Sequence, residues 1–292
     1  MQTIDTSLLC ISYEEWNPGA HRTIILVHGW PDSPRCWANV APALAGAGWH
    51  VLVPALRGHS PTTFLRKDTP RTGQLTALGR DLLEFIDAVG VRRPALVGHD
   101  WGARAVAIAC GLRPDVASHL CMLSVGYGTN TADQPLPLFM ARNYWYHWYM
   151  ATPRGERTVR TDGRNFARIM WDTLSPPGWF DENEFQATAN AFDNPDWAEV
   201  TLHSYRHRWG HAVGDPWCAS DEAALSPPPV LGVPTLVLHG EAHAVNHPDT
   251  SAGKERFFSG RYERQLLPGV GHFPQREDHV AVTTAIVRFT SS

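Results

Sequence analysis

The sequence predicts an α/β protein: a mostly parallel sheet with helices on both faces and a helical segment inserted into it. Three observations carry this. Residues 23–27 (TIILV) and 95–97 (ALV) are continuous apolar runs with no polar alternation, the pattern of strands buried on both faces. Stretches with helical spacing stand between such runs, as in Leu75, Leu78, Leu82, Leu83 and Ile86. The rhythm stops at Pro135 and Pro137 and resumes only after Pro227-Pro228-Pro229.

The elements follow in order. Strand 23–27 ends in His28-Gly29, and residues 36–47 read as a helix. Strand 51–54 is closed by Leu56-Arg57-Gly58-His59, and helix 75–89 follows. Strand 95–97 runs into Gly98-His99-Asp100-Trp101-Gly102 and a small-residue helix over 103–111, then strand 120–125. Strands over 235–239 and 263–267 and a helix over 279–289 complete the chain. Residues 1–130 and 229–292 therefore read as one core domain, and 131–228 as an inserted helical cap.

Composition narrows the function. Lys+Arg number 25 against 29 Asp+Glu, a net charge of −4, which offers no footprint for nucleic acid or an anionic membrane. An apolar fraction of 43% with 18% charged residues is a globular balance. No apolar run approaches the ~18 residues that span a bilayer, and residues 1–16 lack the basic-then-apolar order of a leader. Cys10, Cys36, Cys110, Cys121 and Cys218 are odd in number and scattered, which reads as reduced thiols in the cytoplasm. Twelve tryptophans are present, seven of them between Trp145 and Trp217, so the inserted segment is aromatic-dense.

Gly98-His99-Asp100-Trp101-Gly102 has the form of a nucleophile elbow, in which glycines permit a sharp strand-to-helix turn that lifts the middle side chain. An Asp there favours a particular chemistry. A serine opening an epoxide or alkyl halide leaves an ether that a histidine base cannot hydrolyse, whereas a carboxylate leaves an ester that water can cleave. Asp100 points to displacement at an sp³ carbon. His28-Gly29-Trp30-Pro31 follows the first buried strand, and the backbone N–H groups of Trp30 and Trp101 are the candidate oxyanion hole; the His28 imidazole is read as structural. His272, in Pro268-Gly269-Val270-Gly271-His272-Phe273-Pro274, is the candidate general base. The acid that should orient it is expected in a Gly-x-x-Asp after strand 235–239, but the chain reads Gly240-Glu241-Ala242-His243. Glu241 and Asp249 are the nearby candidates, and a site without its acid is the alternative. His239, His243 and His247 recur every four residues, but a strand end and Pro248 break any helical register, so no metal site is expected. No organic cofactor is called for either.

These motifs resemble the α/β-hydrolase superfamily over nearly the whole chain, and within it the Asp-nucleophile branch of epoxide hydrolases and haloalkane or haloacetate dehalogenases. His28-Gly29-Trp30-Pro31 is similar to the H-G-x-P of epoxide hydrolases. The resemblance implies two cap tyrosines over the nucleophile, matched by Tyr146 and Tyr205, which would protonate the epoxide oxygen. A competing resemblance, to fluoroacetate dehalogenases, implies that His147, Trp148 and Tyr205 bind halide and Arg104 holds a substrate carboxylate. The second arginine of that pattern is replaced by Trp101. The expectation is a hydrolase acting on a small, largely apolar electrophile, epoxide hydrolysis first and dehalogenation second, as a monomer or homodimer; the third reading is an acid-deficient hydrolase-like protein.

Overall fold

Strand β3 (Arg22–Val27) shows why the sheet forms where it does. Ile24 and Leu26 face one apolar layer and Ile25 and Val27 the other, all four completely buried. The other strands are β1 (Gln2–Asp5), β2 (Leu9–Trp16), β4 (Trp49–Pro54), β5 (Thr63–Phe64), β6 (Ala95–His99), β7 (His119–Leu123), β8 (Thr235–Gly240) and β9 (Tyr262–Leu267). The computed structural model describes residues 1–129 and 135–291. Its sheet runs β1-β2-β4-β3-β6-β7-β8-β9, with β5 paired to β2. From β4 to β9 every pairing is parallel, whereas β1 and β2 are antiparallel additions at one edge.

Helices α1 (Val40–Gly46) and α12 (His279–Thr290) cover one face, and α2 (Leu75–Val89) and α3 (Trp101–Leu112) the other. α2 and α3 lie so close that a Cβ on Gly79 would meet Ile108 Cγ2 at 2.2 Å, so this position must remain glycine. The helix expected over 36–47 is divided. A single 3₁₀ turn, Pro34–Trp37, seats Trp37 in the core before α1 begins. The two N-terminal strands were not foreseen, because the polar half of β2, Tyr13-Glu14-Glu15-Trp16, masks its pairing.

Between β7 and β8 the described residues form α4 (Leu138–Asn143), α5 (Trp145–Ala151), α6 (Pro153–Thr161), α7 (Gly163–Leu174), α8 (Glu182–Ala189), α9 (Trp197–Arg208) and α10 (Ala219–Ala224), followed by the short α11 (Pro274–Glu277) after β9. The insertion lies over the loops that leave the C-terminal ends of β3 and β6. Trp171 Nε1 donates to the Pro31 carbonyl at 2.7 Å, and Trp30 Nε1 donates to Thr201 Oγ1 at 3.1 Å. Its apolar side continues the core of the α2/α3 face without a break. The expected boundary at 130/131 lies outside the described residues. Among the described residues no helix is long and apolar enough to cross a membrane.

Candidate active site

The turn between β6 and α3 holds Asp100 at φ 49°, ψ −110°, a strained backbone for any residue but glycine. Three glycines make it possible. A Cβ at Gly98 would stand 2.2 Å from the Gly102 carbonyl oxygen; one at Gly102, 2.2 Å from that of Val27; one at Gly29, 2.6 Å from Asp100 Cβ. The turn presents the carboxylate to the β3 loop, where Trp30 N–H donates to Asp100 Oδ1 at 3.0 Å. Trp101 opens α3, so its N–H belongs to the first turn, whose donors have no partner within the helix. His28 is structural, as expected: Nδ1 meets the Gly29 carbonyl at 2.9 Å and Nε2 accepts from Leu56 N–H at 3.0 Å.

Aromatic rings roof this turn. Tyr146 stacks on Trp30 with centroids 5.9 Å apart, Tyr205 meets Trp30 edge-on at 4.9 Å, and the two phenols lie 5.5 Å from each other. Burial pushes both phenols well above their ordinary range, and the Asp100 charge adds to it, so both remain protonated donors. Trp101 is fully buried, its ring 5.7 Å from Tyr205 and its indole N–H without a partner.

His147 joins the same cluster, its ring 4.2 Å from Tyr146 and 4.6 Å from Tyr205. Its Nδ1 accepts from Trp209 Nε1 at 3.0 Å, which puts the proton on Nε2, and that buried N–H is unpartnered. Trp148 corrects the sequence reading. Its indole N–H is spent on the Ala141 carbonyl at 2.8 Å and is not free for a halide.

His272 stands on the loop after β9, its ring 4.8 Å from that of His99. Its backbone is pinned: Ser175 Oγ accepts from His272 N–H at 2.7 Å, and the His272 carbonyl accepts from Ser124 Oγ at 2.7 Å and from His99 Nε2 at 2.7 Å. The ring partner is His243, whose Nε2 lies 2.8 Å from His272 Nδ1. Burial and neighbouring imidazoles hold both rings well below the ordinary histidine range; the Trp30 carbonyl is what favours a proton on His272. Trp30 N–H thus holds Asp100, while among the described residues His272 Nε2 is buried and without a hydrogen-bond partner.

Comparison with known proteins bears on this geometry. The family model described as alpha/beta hydrolase fold matches residues 22–278. The chain belongs to the α/β-hydrolase family. A crystal structure of a candidate epoxide hydrolase from Klebsiella pneumoniae is 38% identical, with a TM-score of 0.94, over 100% of this chain and 97% of that one. Epoxide hydrolase A of Mycobacterium tuberculosis is 29% identical over 94% of this chain and 92% of its own. A fluoroacetate dehalogenase from Burkholderia sp. is 30% identical over 64% of this chain and 63% of its own.

Within this α/β-hydrolase the two acid candidates fail. Glu241 is exposed, and Asp249 is exposed and pairs with His247, while His272 Nδ1 faces an imidazole. The carboxylate nearest His272 in sequence, Glu277 at the end of α11, accepts from Gly271 N–H, Phe273 N–H and Ser175 Oγ. His239 has both ring nitrogens engaged, by Ser251 Oγ and the Asn246 carbonyl.

Sequence reasoning missed Arg208. It lies over the Tyr205 ring at 4.9 Å, with Nε and Nη2 buried and unpartnered. Burial first, and Arg208 second, pull the Arg104 guanidinium down to about 10. Arg104 reaches Thr129 only at 3.5 Å. Both arginines line a cavity of about 300 Å³ with Ser204, His207 and Glu222, and Arg104 also lines a second of about 180 Å³ with Tyr144 and Trp209. The signal was available: Arg208 follows Tyr205 by three positions, on the same helical face.

Proposed function

We propose that this chain is an epoxide hydrolase that opens its substrate through a covalent ester on Asp100. The observation that carries the reading is the placement of Tyr146 and Tyr205 against Trp30, whose N–H holds the Asp100 carboxylate. One Asp100 oxygen attacks a ring carbon, the carbon–oxygen bond breaks, and a tyrosine gives its proton to the leaving alkoxide. Water then attacks the ester carbonyl, the Trp30 and Trp101 N–H groups stabilise the oxyanion, the acyl carbon–oxygen bond breaks, and of the water's two protons one completes the diol and the other restores the tyrosine. Residues 131–228 serve as the cap that keeps water from the ring-opening step, and the aromatic roof favours a small, largely apolar electrophile in a cytoplasmic enzyme.

A second reading, carbon–halogen cleavage, is favoured by the unpartnered N–H groups of His147 and Trp101 and by the Arg104/Arg208 pair, which supplies a second cation where the sequence offered Trp101. Mass spectrometry of a His272→Gln variant separates the two. An epoxide adds its full mass to the peptide carrying Asp100, whereas a halide substrate adds its mass less that of the hydrogen halide. An unmodified Asp100 across a panel of both substrate classes overturns the ester.

A further inference from the structure

We propose that His243 locks His272 in its Nε2–H tautomer, so that this chain forms the ester on Asp100 quickly and releases it slowly. The proposal rests on the ester reading above and adds what the second half-reaction does.

The protons can be placed one at a time. His243 Nδ1 accepts two backbone N–H groups, from Val245 and Asn246, each at 3.2 Å. A nitrogen that accepts carries no proton, and a neutral imidazole has one donor and one acceptor nitrogen, so the proton of His243 sits on Nε2. That N–H points at His272 Nδ1, 2.8 Å away, and donates to it. His272 Nδ1 is therefore the acceptor, and its own proton is on Nε2. A carboxylate in place of His243 imposes the reverse. It can only accept, so it requires Nδ1–H on His272 and leaves the Nε2 lone pair free to take a proton from water. Substituting an imidazole for the carboxylate inverts the dyad.

The routes out of the lock are blocked. Moving the His243 proton to Nδ1 sets an N–H against two backbone N–H groups. Rotating the ring breaks all three hydrogen bonds at a residue 4% exposed. Adding a proton to make the pair cationic meets burial, with the rings of His99 and His239 at 4.8 and 5.5 Å and, among the described residues, no carboxylate in hydrogen-bonding contact with either ring. Glu277, the last residue of α11, is engaged by its own three donors.

The first half-reaction does not pass through this dyad. Asp100 is oriented by the elbow and by Trp30 N–H, and the proton for the opened ring comes from a phenol. The second half-reaction needs a base for water, and His272 offers water an N–H. Loss of a general base slows such a step by about 10²- to 10⁴-fold.

The test uses the unmodified chain and His243→Asp with excess styrene oxide, following intact mass and diol together after rapid quenching. The expected result is one equivalent of adduct that persists on the unmodified chain, and diol release at least about 10²-fold faster from His243→Asp. Nitrogen-15 spectra of labelled histidine give a readout that a merely structural role leaves unmoved: the His272 proton on Nε2 in the unmodified chain and on Nδ1 in His243→Asp. His243→Asn, whose amide oxygen also accepts, provides the same comparison if the aspartate variant fails to fold. Steady diol release without adduct, at a rate within about threefold of His243→Asp, overturns the lock and leaves the ester reading standing. Neither adduct nor diol from any folded variant overturns the ester, and the proposal with it; the nitrogen spectra tell this apart from a failure of the tautomer itself.

Discussion

The indole of Trp30 lies 5.9 Å from the ring of Tyr146, their planes 10° apart. One residue of the β3 loop thereby holds the Asp100 carboxylate through its backbone, packs against Tyr146 through its ring, and bonds the insertion through its indole N–H to Thr201. Trp30→Phe keeps the backbone contact and an aromatic face but leaves the buried Thr201 hydroxyl without this donor. Unfolding in urea should show a loss of about 1–3 kcal/mol, while the rate of adduct formation on Asp100 changes far less than in the tyrosine variants.

If the phenols supply the proton, Tyr146→Phe combined with Tyr205→Phe should slow adduct formation from an epoxide by about 10²- to 10⁴-fold. Haloacetates, whose leaving group needs no proton, should be affected much less. Single-turnover mass spectrometry with both substrates checks this; equal slowing of the two would assign the tyrosines to packing alone.

The arginine pair predicts a preference for acids. Arg208→Gln should cost about 1.5–3 kcal/mol of transition-state stabilisation for an epoxide bearing a carboxylate and leave styrene oxide nearly unchanged. The ratio of kcat/KM for the two substrates reads this directly. Equal losses for both would mean that Arg208 only supports Tyr205.

Buried histidines set a pH dependence of stability. His59 and His239 are held down to about 4 by burial, against about 6.5 in an unfolded chain. Below pH 6.5 the unfolded chain takes up these protons and the folded one does not. Stability is therefore fully present above pH 6.5 and falls as pH drops toward 4. Between pH 7.5 and pH 5 each should account for about 2 kcal/mol, measured by urea unfolding at both values. An unchanged midpoint would rule this out.

Arg57 and Asp81 form a buried ion pair at 2.6 Å, and Arg57 also donates to the Thr72 carbonyl at 3.0 Å. Arg57→Met strands the carboxylate and should destabilise the fold by about 3–5 kcal/mol, whereas Arg57→Met with Asp81→Leu should recover most of it. Thermal melts of the two variants make the comparison.

The fold was legible wherever burial is symmetric. The strands β3, β6 and β8 each carry an unbroken apolar run, at 24–27, 95–97 and 236–238, because both faces are covered, and helix 75–89 matched its bounds because one face alone is apolar. β1 and β2 escaped because an edge strand with polar residues carries no such pattern. At the site, Asp100 announced itself through glycines that the backbone geometry requires. The partner of His272 could not be read in the same way. Which atom of His243 meets it depends on a turn whose N–H groups at Val245 and Asn246 fix the ring, and spacing along the chain encodes neither. Arg208 escaped although its spacing from Tyr205 puts it on the same helical face, because spacing alone does not tell a buried guanidinium from a solvated one.

The stacked indoles also have an optical consequence. Trp30 lies 6.3 Å from Trp101 and 6.3 Å from Trp197, with planes 20° and 16° apart. Indoles that close couple through their transition dipoles, which can be skewed within nearly parallel ring planes, so the circular dichroism of the native chain should carry a paired band that none of the three chromophores gives alone. Two of them ride on the sheet side and one on α9. The protein thus has its own ruler across the seam between sheet and insertion, readable without a label while a ligand is admitted or released.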